Sequence, residues 1–256
     1  YQSGKKVNVM KYIIILFLSI SVFLQADEYE FEPVPNKAEY YSGNFNKGKD
    51  MSDLYDWAEK FVAWTEDRGD LWSEMETVIF TPYYSNDLQQ TDFVWLNLHP
   101  NSTSQYRTVE NWAKEGGKIF STIPITNSRV TEVWQWPVST PDGEISDMGF
   151  VRFTDCKLKE GITMREAFDA YKKFAIKAKS TGDTMGRKMI MSPVGAGNID
   201  FDYVYSLYAN SPSEYGKNVD NFGLNLRGTP EAEMLNSISE CGNGRSYTTV
   251  RVKEAK

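Results

Sequence analysis

The feature that most constrains this chain is that it contains one pattern twice. The run Asp92 to Trp112 aligns without gaps on Asp202 to Phe222, with Asp92/Asp202, Val94/Val204, Val109/Val219 and Asn111/Asn221 identical. Phe93/Tyr203, Trp95/Tyr205, Arg107/Lys217, Glu110/Asp220 and Trp112/Phe222 are conservative pairs. Upstream, Gly48 to Asp70 lies on Gly161 to Asp183, and Met51/Met164, Asp56/Asp169, Lys60/Lys173, Phe61/Phe174, Gly69/Gly182 and Asp70/Asp183 match. Between these blocks, Ile79-Phe80-Thr81-Pro82 corresponds to Ile190-Met191-Ser192-Pro193. Three blocks in the same order are hard to explain except by duplication.

Each copy spells the same element order. In the second, Gly149 to Cys156 reads as a strand, and Thr163 opens a helix reaching about Ser180. Glu166, three residues after Thr163, completes a capping box, and Phe168, Tyr171, Ala175 and Ala178 form the apolar stripe. Strands follow at Lys188 to Val194 and Asp202 to Tyr208, then a helix from Pro212 through Phe222 and a strand from Arg245 to Lys253. The first copy repeats this as strand Ala38 to Phe45, helix Ser52 to Asp67, strands Glu76 to Tyr83 and Asp92 to Leu98, helix Ser104 to Lys114 and strand Arg129 to Trp136. Pro137 to Met148, with its Pro141-Asp142-Gly143 turn, reads as the junction.

This β-α-β-β-α-β order resembles the ferredoxin-like split βαβ unit. Two such units in one chain resemble the dimeric α/β-barrel superfamily, in which paired sheets pack face to face as a barrel. The resemblance spans the mature chain and rests on element order and duplication rather than on a signature motif. It implies an α+β fold of two tandem ferredoxin-like modules arranged as a pseudo-dimer, residues 27–138 and 139–256. The superfamily includes cofactor-free monooxygenases, haem-binding enzymes and proteins of unknown role, so the fold leaves the activity open.

The N-terminus carries a basic Met10-Lys11-Tyr12, a nearly unbroken apolar run from Ile13 to Leu24, then Gln25-Ala26-Asp27-Glu28. That is the pattern of a signal peptide cleaved after Ala26, and the run is short for a membrane span. Residues 1–26 are therefore read as upstream residues plus signal peptide, and the protein as secreted or periplasmic. An uncleaved anchor, the alternative raised by Leu24, would be the only route to a membrane. A formal charge of −7 disfavours nucleic-acid partners, because an acidic protein gains nothing from displacing phosphate counterions.

In the split βαβ arrangement the first and last strands are antiparallel neighbours. Cys156, ending the first strand of the second copy, and Cys241, preceding its last, should then meet as a disulfide in an oxidising compartment, stabilising by about 3–5 kcal/mol. With two cysteines and a single histidine, a structural zinc site is not expected.

Strand alternation divides Phe93, Trp95, Asn97 and His99 from Val94, Leu96 and Leu98. The aliphatic set suits the helices, so the aromatic set, with Tyr203 and Tyr205, is expected inside the barrel as a ligand cavity. Trp134 shares a face with Trp136 and joins the candidate lining, although such pairs are more often core. His99, with Asn97 beside it, is the candidate catalytic residue, as a general base or a haem ligand; a strand-end histidine needs no function, and its counterpart is Ala209. Arg107/Glu110 reads as a surface ion pair, and Asn111/Asn221 as amides bonding nearby backbone.

Phosphate-binding and nucleophile-elbow motifs do not occur. The leading reading is an exported protein binding a small apolar or aromatic molecule in an aromatic-lined barrel. One alternative is an enzyme on the same scaffold, cofactor-free and monooxygenase-like or haem-dependent; the other is a structural module with a solid core. No cofactor is predicted from the residues, and haem enters only through the resemblance and His99. Oligomeric state stays open.

Overall fold

Two capping boxes start the two long helices and fix where the chain turns back over the sheet. A computed structural model describes residues 30–86 and 88–256; the signal-peptide expectation concerns residues outside this range. In the first half, β1 (Asn36–Phe45) leads to α1 (Met51–Glu66), whose cap Asp50 exchanges hydrogen bonds with Asp53. Then come β2 (Glu76–Tyr84), β3 (Phe93–His99), α2 (Ser102–Glu115), the single turn α3 (Gly117–Phe120) and β4 (Ile125–Ser139). The second half gives β5 (Gly149–Leu158), α4 (Met164–Ser180), β6 (Gly186–Val194), β7 (Tyr203–Ala209), α5 (Pro212–Asn221), α6 (Pro230–Ile238) and β8 (Ser239–Lys253). Thr163 and Glu166 form the expected capping box of α4. Not anticipated were α3, α6 and a last strand that begins at Ser239.

The eight strands close into an antiparallel barrel in the order β1-β3-β2-β8-β5-β7-β6-β4. Each half contributes four consecutive strands in the same order, its fourth beside its first and its third beside its second. The two sheets join at two seams, β2 with β8 and β4 with β6. The fold is thus a mixed α+β barrel with helices outside. Among the described residues, no helix is long and apolar enough to cross a membrane.

Two of the residue pairs that match between the halves play the same part in each. Asp92 Oδ2 accepts the backbone N–H of Phe45 at 2.9 Å, and Asp202 Oδ2 accepts that of Leu158 at 2.7 Å. Each carboxylate therefore ties the end of its half's first strand to the start of its third. Gly48 and Gly161, just before the long helices, both take left-handed backbone, φ +76° and +81°, a conformation that strains other residues.

The register corrects one alignment. Ile79 lies opposite Trp95, and Met189, not Ile190, lies opposite Tyr205. The β2 and β6 blocks are therefore offset by one residue from the sequence match, so Val78 corresponds to Lys188. Because side chains alternate, a shift of one reverses every side chain's face.

Which face points inward is also the reverse of expectation. Val94 and Leu96 belong to the barrel interior with Ala38, Phe80, Val133, Val151, Phe153, Ile190 and Tyr247, and Leu98 packs against this set. Phe93 and Trp95 pack outward against Leu54, Trp57 and Phe61 of α1. Tyr203 and Tyr205 likewise pack outward with Phe168 and Tyr171 of α4, and Trp134 and Trp136 border that cluster. An eight-stranded barrel is just wide enough inside for side chains to fill, while the helix–sheet layer accepts flat Trp and Phe rings in larger number.

Cys156 and Cys241 are register partners on β5 and β8 and form the expected disulfide, with a Cα separation of 4.1 Å. That spacing suits a non-hydrogen-bonded cross-strand pair. The bond closes a loop of 85 residues. Replacing both cysteines by alanine should lower the unfolding free energy by about 4–5 kcal/mol on the loop-entropy account. Urea unfolding measures this, and a loss below about 1 kcal/mol would contradict that account.

Candidate functional site

The barrel interior is solid at its middle and hollow at both ends. Tyr40, Phe80, Phe153 and Tyr247 meet across the axis, with ring centroids 6.5 Å apart for Tyr40–Phe80, 6.3 Å for Tyr40–Phe153 and 5.9 Å for Phe80–Tyr247. On one side of this plug lies a chamber of about 350 Å³, reached by the β2–β3 and β6–β7 connections and polar at its rim, where Arg245 pairs with Asp155 at 2.9 Å. On the other lies a chamber of about 150 Å³, walled by Val78, Leu96, Leu98 and Val151 and roofed by Pro141, Ile145 and Ser146 of the junction.

Lys188 of β6 enters the smaller chamber among these apolar walls. Its Nζ donates to Gln135 Oε1 at 2.6 Å and lies 5.8 Å from the Tyr208 ring centroid. Gln135 in turn donates to the Tyr40 hydroxyl at 2.7 Å. Among the described residues, no carboxylate pairs with Lys188; the nearby Glu76 is engaged by Arg251 at 3.2 Å. Burial pushes the Lys188 amine down to about 8, against the pull of Glu76. Burial likewise raises Tyr40 and Tyr208, which stay protonated. The chamber thus offers apolar walls, hydroxyl groups and the Lys188 amine, and the one carboxylate on its lining, Glu76, is taken up by Arg251 beside it.

Of the site residues expected from sequence, Phe93, Trp95 and Asn97 lie elsewhere, between the sheet and the helices of the first half. Asn97 is buried, and its Oδ1 accepts from Trp95 Nε1 at 2.8 Å and Thr77 Oγ1 at 3.0 Å. A pocket of about 90 Å³ adjoins Trp95 and Asn97 under Trp57, Trp112 and Phe120. At its floor is Glu39, which sequence reasoning missed. Its carboxylate accepts from Gln105 Nε2 at 3.0 Å, Tyr41 Oη at 3.1 Å and Asn97 Nδ2 at 3.4 Å. Burial pushes the Glu39 carboxyl up, but the adjacent His99 and the Gln105 and Asn97 amides bring it below its ordinary value.

His99 is 1% exposed and adjoins none of the three cavities. Its Nε2 lies 3.9 Å from Glu39, beyond hydrogen-bond reach. As the only histidine it is also the only imidazole that could ligate haem iron, and among the described residues it borders none of these cavities. Both cysteines are bonded together and offer no thiolate. His99 as placed does not fit the part of a haem ligand, and no haem chemistry is assigned.

Phe93, Tyr203 and Tyr205 are packed core of the helix–sheet layers. Trp134 lies on an outer face with the Lys37 ammonium 4.6 Å from its ring centroid. Two smaller expectations also change. Glu110 pairs with Lys114 rather than Arg107. Asn111 and Asn221 bond side chains, Trp72 Nε1 at 3.0 Å and Thr181 Oγ1 at 3.0 Å, not backbone.

No protein-family model and no curated protein sequence matches the chain. Among solved structures it is similar to a monooxygenase-like protein of Fusobacterium nucleatum, at 13% identity over 87% of this chain and 94% of that one, with a TM-score of 0.55. It is similar at lower scores to a haem-binding protein of Thermus thermophilus (11% identity, 85% and 92% covered, TM-score 0.48). A chlorite dismutase variant of Candidatus Nitrospira defluvii gives 11% identity, 88% and 94% covered, and TM-score 0.47. Likeness at this identity concerns the fold alone: the chain shares an α+β barrel fold with the Fusobacterium protein.

The Lys188 shift has a definite sign. Below pH 8 the ammonium is charged in both folded and unfolded chains, and folding bears the full cost of burying it. Between about 8 and the ordinary 10.5 the unfolded chain binds more protons, so stability rises with pH. Lys188→Met should therefore stabilise by on the order of 2 kcal/mol at pH 7, and the gain should shrink as pH approaches 10.5. Urea unfolding of both proteins at pH 7 and pH 10 checks this; an equal difference at the two values would refute the assignment.

Proposed function

We propose that this protein binds a small apolar or single-ring aromatic molecule carrying an acidic group, held in the smaller barrel chamber. The observation that carries this reading is Lys188, a lysine beside apolar walls whose hydrogen-bond partner is an amide, while the Glu76 carboxylate on the same lining is paired with Arg251. A bound carboxylate would supply the missing charge, and the apolar walls would hold the rest of the molecule. The volume sets the size: a cavity of about 150 Å³ takes a benzene-sized body.

The frame for this is a tandem duplication of a ferredoxin-like module, residues 27–138 and 139–256, acting as a pseudo-dimer. Support comes from the shared strand order and from the matching roles of Asp92 with Asp202 and Gly48 with Gly161. An exported location, secreted or periplasmic, is supported by the leader-like N-terminal sequence and by the disulfide. A catalytic version of this reading would use Lys188 as its base rather than His99, because Lys188 borders a cavity and His99 does not.

Calorimetric titration with benzoate and with its neutral counterpart benzamide tests the proposal. Benzoate should bind at least about tenfold more tightly, and Lys188→Met should abolish that preference. Equal binding of the two, or a preference that survives in Lys188→Met, would overturn it.

A further inference from the structure

The aromatic pocket of the first half is separate from the barrel chambers and carries the opposite charge. Trp57, Phe61, Trp95, Trp112 and Phe120 wall it. Trp57 and Phe61 stack at 15°, and Trp95 and Trp112 stand steeply to them, at 66° for Trp57–Trp95, 79° for Phe61–Trp95 and 74° for Phe61–Trp112, so ring faces are presented in more than one direction. Beneath them the buried Glu39 carboxylate borders the space, with Asn97 beside it.

The Glu39 charge is favoured first by the neighbouring His99 and then by amide donors. Its hydrogen-bond donors, Gln105, Tyr41 and Asn97, are all neutral. Burial and the adjacent Glu39 hold the Tyr41 phenol protonated. Among the described residues, no lysine or arginine pairs with Glu39. Lys37, two residues before it on the same face of β1, is engaged by Glu132, which also accepts from Tyr106 Oη at 2.7 Å. Glu132 itself lies directly opposite Glu39 in the β1–β4 register, adding negative charge to the neighbourhood. The one basic group beside Glu39 is His99, 3.9 Å away and outside the pocket lining.

A carboxylate at the floor of an aromatic box is the arrangement that attracts an organic cation. The ring quadrupoles draw the positive charge, and the anion completes the desolvated pair. We infer that this pocket binds the head of a quaternary ammonium or alkylated amine compound, with Glu39 as its counter-ion and the tryptophans as its cage. A volume of about 90 Å³ suits a compact head group rather than an extended ligand. The other half cannot duplicate the site. There Leu207 replaces Asn97, and the strand register puts Arg152 where the first half has Glu39.

The test uses tryptophan fluorescence of the whole protein, titrated with choline and with choline's neutral tert-butyl isostere. Choline should quench saturably and bind at least about tenfold more tightly than the isostere, the scale of one desolvated cation–π and ion-pair contact. Glu39→Gln should bring the two affinities within about threefold, while Lys188→Met should leave choline binding unchanged. A wild-type preference below about threefold, an absence of saturable quenching, or a full preference retained in Glu39→Gln would each overturn the inference. If Glu39→Gln does not fold, Trp112→Leu on the partly exposed face of α2 replaces it. That variant should lose about tenfold in choline affinity, and an unchanged affinity would overturn the inference equally.

Discussion

Everything in this molecule depends on the two seams where one half's sheet hydrogen-bonds to the other's. Each four-stranded sheet alone would leave two edges of unpaired backbone donors and acceptors. The antiparallel ladders of β2 with β8 and β4 with β6 pair those edges and turn two sheets into one ring. Closure also settles where every side chain goes. Where the helices cover the ring, as over β3, both faces of a strand are buried, while the ends of β4 and β8 that run beyond them stay exposed. The narrow inside takes aliphatic residues and a few rings, and the outside takes the tryptophans that fill the gap beneath α1 and α2.

Much of this is legible in the sequence. Repeated blocks reveal the element order, and that order places Cys156 beside Cys241. Thr163 with Glu166 marked a helix start to the residue. What alternation could not reveal was which face looks inward. It separates Phe93, Trp95 and Asn97 from Val94, Leu96 and Leu98, but in a strand buried on both sides neither set is marked as interior by polarity. The same ambiguity let the β2 and β6 blocks align one residue out of step. That slip set Lys188 beside Thr77, a polar match, when its true counterpart is Val78. Correctly registered, a lysine facing a valine would have stood out. Glu39 was missed for a related reason: in sequence it is one acidic residue among many, and only the register sets it beside Asn97 and under the tryptophans.

The two halves share what holds the barrel and differ in what lines its spaces. Asp92 and Asp202 tie strands in the same way, and Gly48 and Gly161 turn in the same way. Against that background, Val78 and Lys188, Glu39 and Arg152, and Asn97 and Leu207 are departures, and they cluster at cavities of opposite charge. The likeness to other barrel proteins is confined to the scaffold, so these positions are where the chain's own chemistry is written.

The ring cluster of Tyr40, Phe80, Phe153 and Tyr247 divides the barrel's interior across its middle. The barrel is consequently no conduit: whatever enters at the Lys188 end must leave by the same mouth, past the junction that roofs it. Capture and escape share one doorway, so a change in that junction would slow or speed both together. Dwell time could thus be altered there with the equilibrium between free and bound left in place.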